Sequence, residues 1–118
     1  MKKLFLSAAL LLPIAGTTQA AGAQPIGPQH GYTPVSIAAA KDARDDALVQ
    51  VQGRIVKRLS GEEYELQDAT GTIVVEIDDE LWQGLNVTDQ DQVSINAEVD
   101  QDWNGTELDA QSLTIINR

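Results

Sequence analysis

Between Val49 and Ile115 apolar side chains recur at every second position in five separate rows, the period of strands with one buried face. Val49, Val51, Gly53 and Ile55 alternate with Gln50, Gln52 and Arg54, and this row continues through Val56 to Leu59. Tyr64 and Leu66 alternate with Glu63, Glu65 and Gln67, and Ile73, Val75 and Ile77 form the third row. Val93, Ile95, Ala97 and Val99 make the fourth, and Leu108, Ala110, Leu113 and Ile115 the fifth, whose register changes near Gln111 and Ser112. Ser60–Gly61, Asp68–Gly71 and Asn104–Gly105 are turn signals, the last a strong hairpin signal. Gly53 falls where a long strand can bend to serve two halves of a small barrel.

Two segments depart from this period. Ser36 can cap a short helix over Ile37 to Ala43, with alanine its main component. Asp78 to Leu85 places acidic residues ahead of apolar ones, as a short helix start prefers, and Trp82 there can plug one end of the sheet. The order strand, strand, strand, short helix, strand, strand predicts a mainly β fold: a five-stranded OB-fold barrel with a short N-terminal helix and another between strands three and four.

Ahead of the barrel the pattern is different. Lys2 and Lys3, the apolar run Leu4 to Ile14 and the small residues around Ala20 read as a secretory signal peptide over residues 1–20, with cleavage after Ala20 or after Ala23. The run is too short for a membrane span, so no stable membrane insertion is expected. Residues 21–35, rich in Gly, Pro and Gln, read as a flexible leader, and residues 36–118 as the OB-fold domain. A periplasmic location follows as the expectation.

Charge then narrows the function. The 118 residues carry 18 Asp and Glu against 8 Lys and Arg, a formal charge of −10. Losing Lys2 and Lys3 with residues 1–20 leaves 6 basic side chains against 18 acidic ones, or −12. Such a chain repels polyanions, and no nucleic acid is expected as a partner. The absence of cysteine excludes thiolate metal sites, disulfides and cysteine nucleophiles. The single histidine, His30, lies in the leader with no base or nucleophile in prospect, and no glycine-rich phosphate loop is present. The chain reads as no enzyme, with no cofactor and no dedicated metal site.

Several segments in this order resemble a known group: Arg44-Asp45-Asp46, Val51-Gln52-Gly53-Arg54-Ile55-Val56, Asp68-Ala69-Thr70-Gly71-Thr72-Ile73, Ile77-Asp78, Trp82-Gln83-Gly84 and Glu98 to Asn104. The chain resembles the bacterial OB-fold family of YgiW/YdeI-type stress-tolerance proteins from about Ile37 to Ile116. That resemblance implies a small periplasmic protein with a signal peptide and a leader, associated with tolerance of oxidative, metal, acid or cationic-peptide stress. Ala43 and Leu48 stand where relatives often carry Leu and Trp, which implies altered packing of the first helix.

An OB barrel usually binds ligands over strands two and three, between the loops joining strands one to two and four to five. With Tyr64, Leu66, Ile73, Val75 and Ile77 inward, the outer face carries Glu63, Glu65, Glu76 and Asp78 and no aromatic platform for bases. A face of this kind suits a cationic peptide, a polyamine, a divalent ion or the basic patch of an envelope protein; it is equally the solvated side of a sheet. Asp100, Asp102, Glu107 and Asp109 form a second acidic group whose spacing is not that of a calcium loop. Arg54, Lys57 and Arg58 on the first strand can hold an anion such as a sugar acid or a lipid phosphate, or pair with carboxylates. Trp103 beside the last hairpin can stack on a cell-wall sugar or close the barrel mouth.

Overall fold

The computed structural model describes residues 31–117. Residues 1–30, with the expected signal peptide, most of the leader and His30, lie outside the described residues. The elements are β1 (Thr33–Pro34), α1 (Ile37–Lys41), β2 (Leu48–Ser60), β3 (Glu63–Asp68), β4 (Gly71–Glu76), α2 (Asp79–Trp82), β5 (Gln92–Asp102) and β6 (Gly105–Asn117). The sheet order is β1-β2-β3-β4-β6-β5, and an added pairing of β2 with β5 closes β2 to β6 into the five-stranded OB barrel.

β2 closes the barrel because it serves two neighbours in turn. Leu48 to Gly53 pair with β5, and from Arg54 onward the strand pairs with β3. Gly53 sits at the changeover, where a Cβ would stand 2.4 Å from the Gln67 carbonyl oxygen. The bend is therefore a close backbone approach that only glycine permits. A register shift between Ile55 and Lys57 then turns Lys57 outward, opposite Glu65. The predicted irregularity in the last strand is a second bulge: Asn96 faces Ser112 while Ala97 faces Ala110, so Gln111 is the extra residue.

The inward rows supply the core. Val51, Leu66, Ile73, Val75, Ile77, Val93, Ile95, Val99 and Leu108 are all buried, each large aliphatic contributing about 1.5–3 kcal/mol on leaving water. α1 adds Ile37 and Ala40, both fully buried, and Ser36 caps it by accepting from the Ala39 N–H at 3.1 Å. Its regular part ends at Lys41, and Ala43 follows in a single turn, partly buried against the core, while Leu48 is left exposed. α2 is one turn, ended by Gln83 at φ 48° and Gly84 at φ 76°. Trp82 packs on the core beside it and meets the ring of Tyr64 edge-on, with centroids 5.2 Å apart.

The end of the expected leader is structured. Thr33 and Pro34 run parallel to β2 opposite Val49 and Gln50, and the Val35 N–H donates to the Gln50 carbonyl at 3.0 Å. Pro34 has no N–H to offer and stands at a sheet edge, where proline is tolerated. The barrel's weakest junction is between β4 and β6, a parallel pairing of three residues, Val74–Glu76 with Glu107–Asp109.

Candidate functional site

The strand registers gather carboxylates into two rows on one outer face. Glu63 on β3 faces Glu76 on β4, Glu76 faces Asp109 on β6, and Asp109 faces Glu98 on β5. In the next row Glu65 faces Val74, Val74 faces Glu107, and Glu107 faces Asp100. The two acidic groups that are separate in sequence thus make a single face across four strands. Directly opposed like charges destabilise a sheet, and here they add to the effect of burial on three of the carboxyls. Burial pushes the Glu76 carboxyl up, aided by Asp109, Asp78, Glu62 and Glu63. Burial also raises Glu107, with Glu63, Asp100, Glu76 and Asp102 adding to it, and raises Asp109, with Asp78 and Asp100.

Basic side chains do little to offset this charge. The one ion pair among the described residues is Lys57 with Glu65 at 3.8 Å. Arg54 turns to Gln67, donating from Nη2 to Oε1 at 3.3 Å, and from Nη1 to the Asp89 carbonyl at 3.5 Å. Arg58 donates to the Gly61 carbonyl at 2.8 Å and lies 6.0 Å from the centre of the Tyr64 ring. The three basic residues of β2 therefore share no partner.

Asp78 stands at the edge of the face as the N-cap residue of α2. Carboxylate oxygens of Glu62, Glu76 and Asp78 lie within 4.8 Å of one another, close enough for a hard cation to take an oxygen from each. Glu62 is the member that alternation misses, because it precedes β3 and reaches the group through the turn; its Oε2 also accepts from the Asp79 N–H at 3.1 Å. Where the carboxylate face meets the last hairpin, a cavity of about 420 Å³ opens between Lys41, Glu65, Thr72, Val74 and Thr106.

Trp103 is 91% exposed at the tip of the β5–β6 hairpin and does not close the barrel mouth. Asp102 supports the turn by accepting from the Asn104 N–H at 2.8 Å, and Gly105 follows at φ 131°. Arg54 is at the other end of the barrel, where it shares a hollow with Gln67 and Gln92. From Gln92 to Asp102 β5 spans ten residue steps, roughly 30 Å of extended chain. Trp103 and Arg54 therefore do not belong to one site.

The family model described as "Bacterial OB fold (BOF) protein" matches residues 13–115. The chain belongs to that family. Among BOF relatives it is similar to "Protein YgiW" of Escherichia coli K12, 44% identical over 82 residues that cover 70% of this chain and 63% of the relative, so the match spans under two thirds of that protein. It is also similar to "Calcium-regulated OB-fold protein CarO" of Pseudomonas aeruginosa, 42% identical over 90 residues covering 76% of this chain and 78% of the relative. Neither is named for an enzymatic activity. The solved structure of YgiW from E. coli superposes with a TM-score of 0.70 at 40% identity, covering 80% of this chain and 99% of that one. The telomere capping protein Ten1 from Saccharomyces pombe, at 13% identity and a TM-score of 0.57 over 71% of this chain and 80% of that one, shares the fold alone.

Proposed function

We propose that this BOF protein is a non-enzymatic periplasmic binding or adaptor module that contributes to envelope stress tolerance by engaging a protein partner or a cationic ligand through its carboxylate face. One observation carries the reading: Glu63, Glu76, Asp109 and Glu98 in one register row, flanked by Glu65, Glu107 and Asp100, on the side where OB barrels bind. Opposed carboxylates repel one another, so a cation laid across the rows gains both its own attraction and the relief of that repulsion. The same charge disfavours nucleic acid. The signal-like residues 1–20 and the family resemblance support the periplasmic and stress assignments.

The test is the triple charge reversal Glu63→Lys, Glu65→Lys, Glu76→Lys, titrated with a lysine- and arginine-rich peptide and with spermine at physiological salt. At least tenfold weaker binding of both probes is expected, together with loss of partners crosslinked in the periplasm under envelope stress. Unchanged affinity and an unchanged crosslinking pattern would sink the reading.

The exposure of Trp103 favours a second reading, a carbohydrate-binding module for peptidoglycan or lipopolysaccharide sugars. An indole held out from a hairpin tip is free to stack on a sugar ring. If Trp103→Ala leaves muropeptide binding intact, the hairpin is not the anchor.

A further inference from the structure

The barrel wall is incomplete where β4 meets β6. The two strands pair in parallel from Val74 with Glu107 to Glu76 with Asp109, and the ladder stops before Ile73 could pair with Thr106. The cavity of about 420 Å³ lies at this gap, lined by Thr72, Ile73 and Val74 from β4 and by Gly105 and Thr106 from β6. The end of α1 bounds it on a third side. There the Lys41 carbonyl accepts from Gln101 Nε2 at 3.0 Å and from the Thr106 hydroxyl at 3.2 Å, which anchors the helix end to the last hairpin.

Strand register determines which backbone groups face the gap. Each hairpin closes on a two-residue turn, Asp68 opposite Gly71 and Asp102 opposite Gly105. In an antiparallel pair, residues that exchange hydrogen bonds alternate with residues whose N–H and C=O point the other way. Thr72 and Thr106, one step in from the closing pairs, therefore turn their backbone groups away from β3 and β5 and into the gap. The Ile77 N–H, donating to the Glu62 carbonyl at 2.8 Å, fixes the same parity at the far end of the first hairpin. A continued ladder would have the Thr106 N–H donate to the Thr72 carbonyl, but the pairing ends short of that rung. A donor on β6 and an acceptor on β4 thus face a space in which each needs a partner. Opposite charges flank them. Lys41 Nζ lies 3.9 Å from the position a Cβ on Gly71 would take, beside Thr72, and Lys41 has no ion pair among the described residues. Glu65 lines the same cavity and pairs with Lys57, not with Lys41.

We infer that this cavity binds a free α-amino acid with a small apolar side chain. Its carboxylate accepts from the Thr106 N–H beside the Lys41 ammonium, its ammonium donates to the Thr72 carbonyl and to Glu65, and its side chain rests on Val74. An α-amino acid carries an acceptor and a donor on one carbon, so it completes both halves of the open rung at once, with charge-assisted bonds. The volume falls in the usual range of small-molecule sites, roughly 300–1,000 Å³. A simple acid leaves the Thr72 carbonyl and Glu65 unmatched, and a simple amine leaves the Thr106 N–H and Lys41 unmatched. The inference goes beyond both readings above, since it requires a dipolar ligand instead of a polycation and does not involve Trp103.

The test titrates the full mature chain with L-alanine, and separately with propionate, ethylamine and trimethylglycine. L-alanine is expected to shift the backbone amide resonances of Thr72 and Thr106 saturably in the millimolar range. Propionate and ethylamine are each expected to bind roughly tenfold more weakly, the loss of one charge-assisted bond. Trimethylglycine keeps both charges but has no N–H to donate, and is expected to bind as poorly as propionate. Lys41→Gln is expected to weaken L-alanine roughly tenfold, and Glu65→Gln about threefold, with the thermal midpoint unchanged in both. Spermine binding is expected to be the same in Lys41→Gln as in wild type. Three results would overturn the inference: no saturable shift of the two threonine amides, propionate or trimethylglycine binding as tightly as L-alanine, or wild-type affinity for L-alanine in Lys41→Gln. Each leaves the carboxylate-face reading standing, because that reading is scored by spermine and the cationic peptide.

Discussion

The carboxylate face and the amide-lined groove of Gln50, Gln52, Gln67, Asp68 and Gln92 lie on the same barrel wall, a few residues apart along β3 and β5, yet they are stabilised in opposite ways. The groove is organised around an acid that the fold wants ionised. Desolvation acts to raise the Asp68 carboxyl, but the hydrogen bonds from Thr70, Ile37 and Gly71 together outweigh it and hold its pKa below the ordinary value of 3.8. The carboxylate face is organised around acids that the fold would rather protonate, with Glu76, Glu107 and Asp109 all shifted upward. The lesson is that a carboxylate's role is set by its surroundings: four hydrogen bonds make Asp68 a joint between α1 and the β3–β4 turn, whereas burial, and after it the opposed neighbours, push Glu76 toward protonation.

The largest expected effect removes the common frame of both regions. Gly53→Ala drives a methyl into the Gln67 carbonyl, 2.4 Å away, and the neighbour is backbone that cannot swing aside. A loss of about 3 kcal/mol is expected in denaturant unfolding, at the upper end for overpacking. A loss below about 1 kcal/mol would show that the changeover in β2 is looser than its geometry implies.

Next is Asp68→Ala, which strands the N–H groups of Ile37, Thr70 and Gly71 at an expected cost of about 2–3 kcal/mol near neutral pH. Because the folded pKa is depressed, this stabilisation is present above pH 3.8 and is lost as pH falls through the lowered value. Wild type and variant should therefore converge in acid. A gap that stays constant with pH would mean the side chain acts by packing and not by charge.

The smallest effect has the opposite sign. Glu76→Gln relieves the facing charges of Glu63 and Asp109 and is expected to stabilise the domain by about 0.5 kcal/mol. A raised folded pKa means that ionisation costs stability, and the cost fades as pH falls through that raised value toward 4.5. The advantage of the variant should thus be greatest near neutrality and vanish in acid. Thermal unfolding across pH 4 to 7 checks it, and a destabilised variant would show that Glu76 already has a favourable partner.

Much of the barrel is legible in the sequence because alternation is a local signal. The inward rows from Val49 to Leu113 are the buried core, Ser36 caps α1, and Gln111 is the bulge where the alternation slips. Gly53 is readable as a bend, although the reason, a carbonyl 2.4 Å from its missing Cβ, comes from another strand. What the sequence hides is register between strands that are distant in the chain. Glu76 and Asp109 are 33 positions apart and meet only because β4 and β6 pair in parallel; no periodicity within either strand reports that. For the same reason nothing in the sequence shows that Arg54 and Trp103 stand at opposite ends of the barrel, and the glutamines look like filler between apolar residues until β2 and β5 pair. Thr33 and Pro34 read as leader because two residues carry no period at all.

The three-residue junction between β4 and β6 is where these threads cross, for both carboxylate rows pass through it. A cylinder must give first where its wall is thinnest, and here the thinnest line is also the one along which like charges push it apart. Salt or a bound polycation would act on that line as a clasp, so the stiffness of the barrel becomes a reading of the ionic conditions around it.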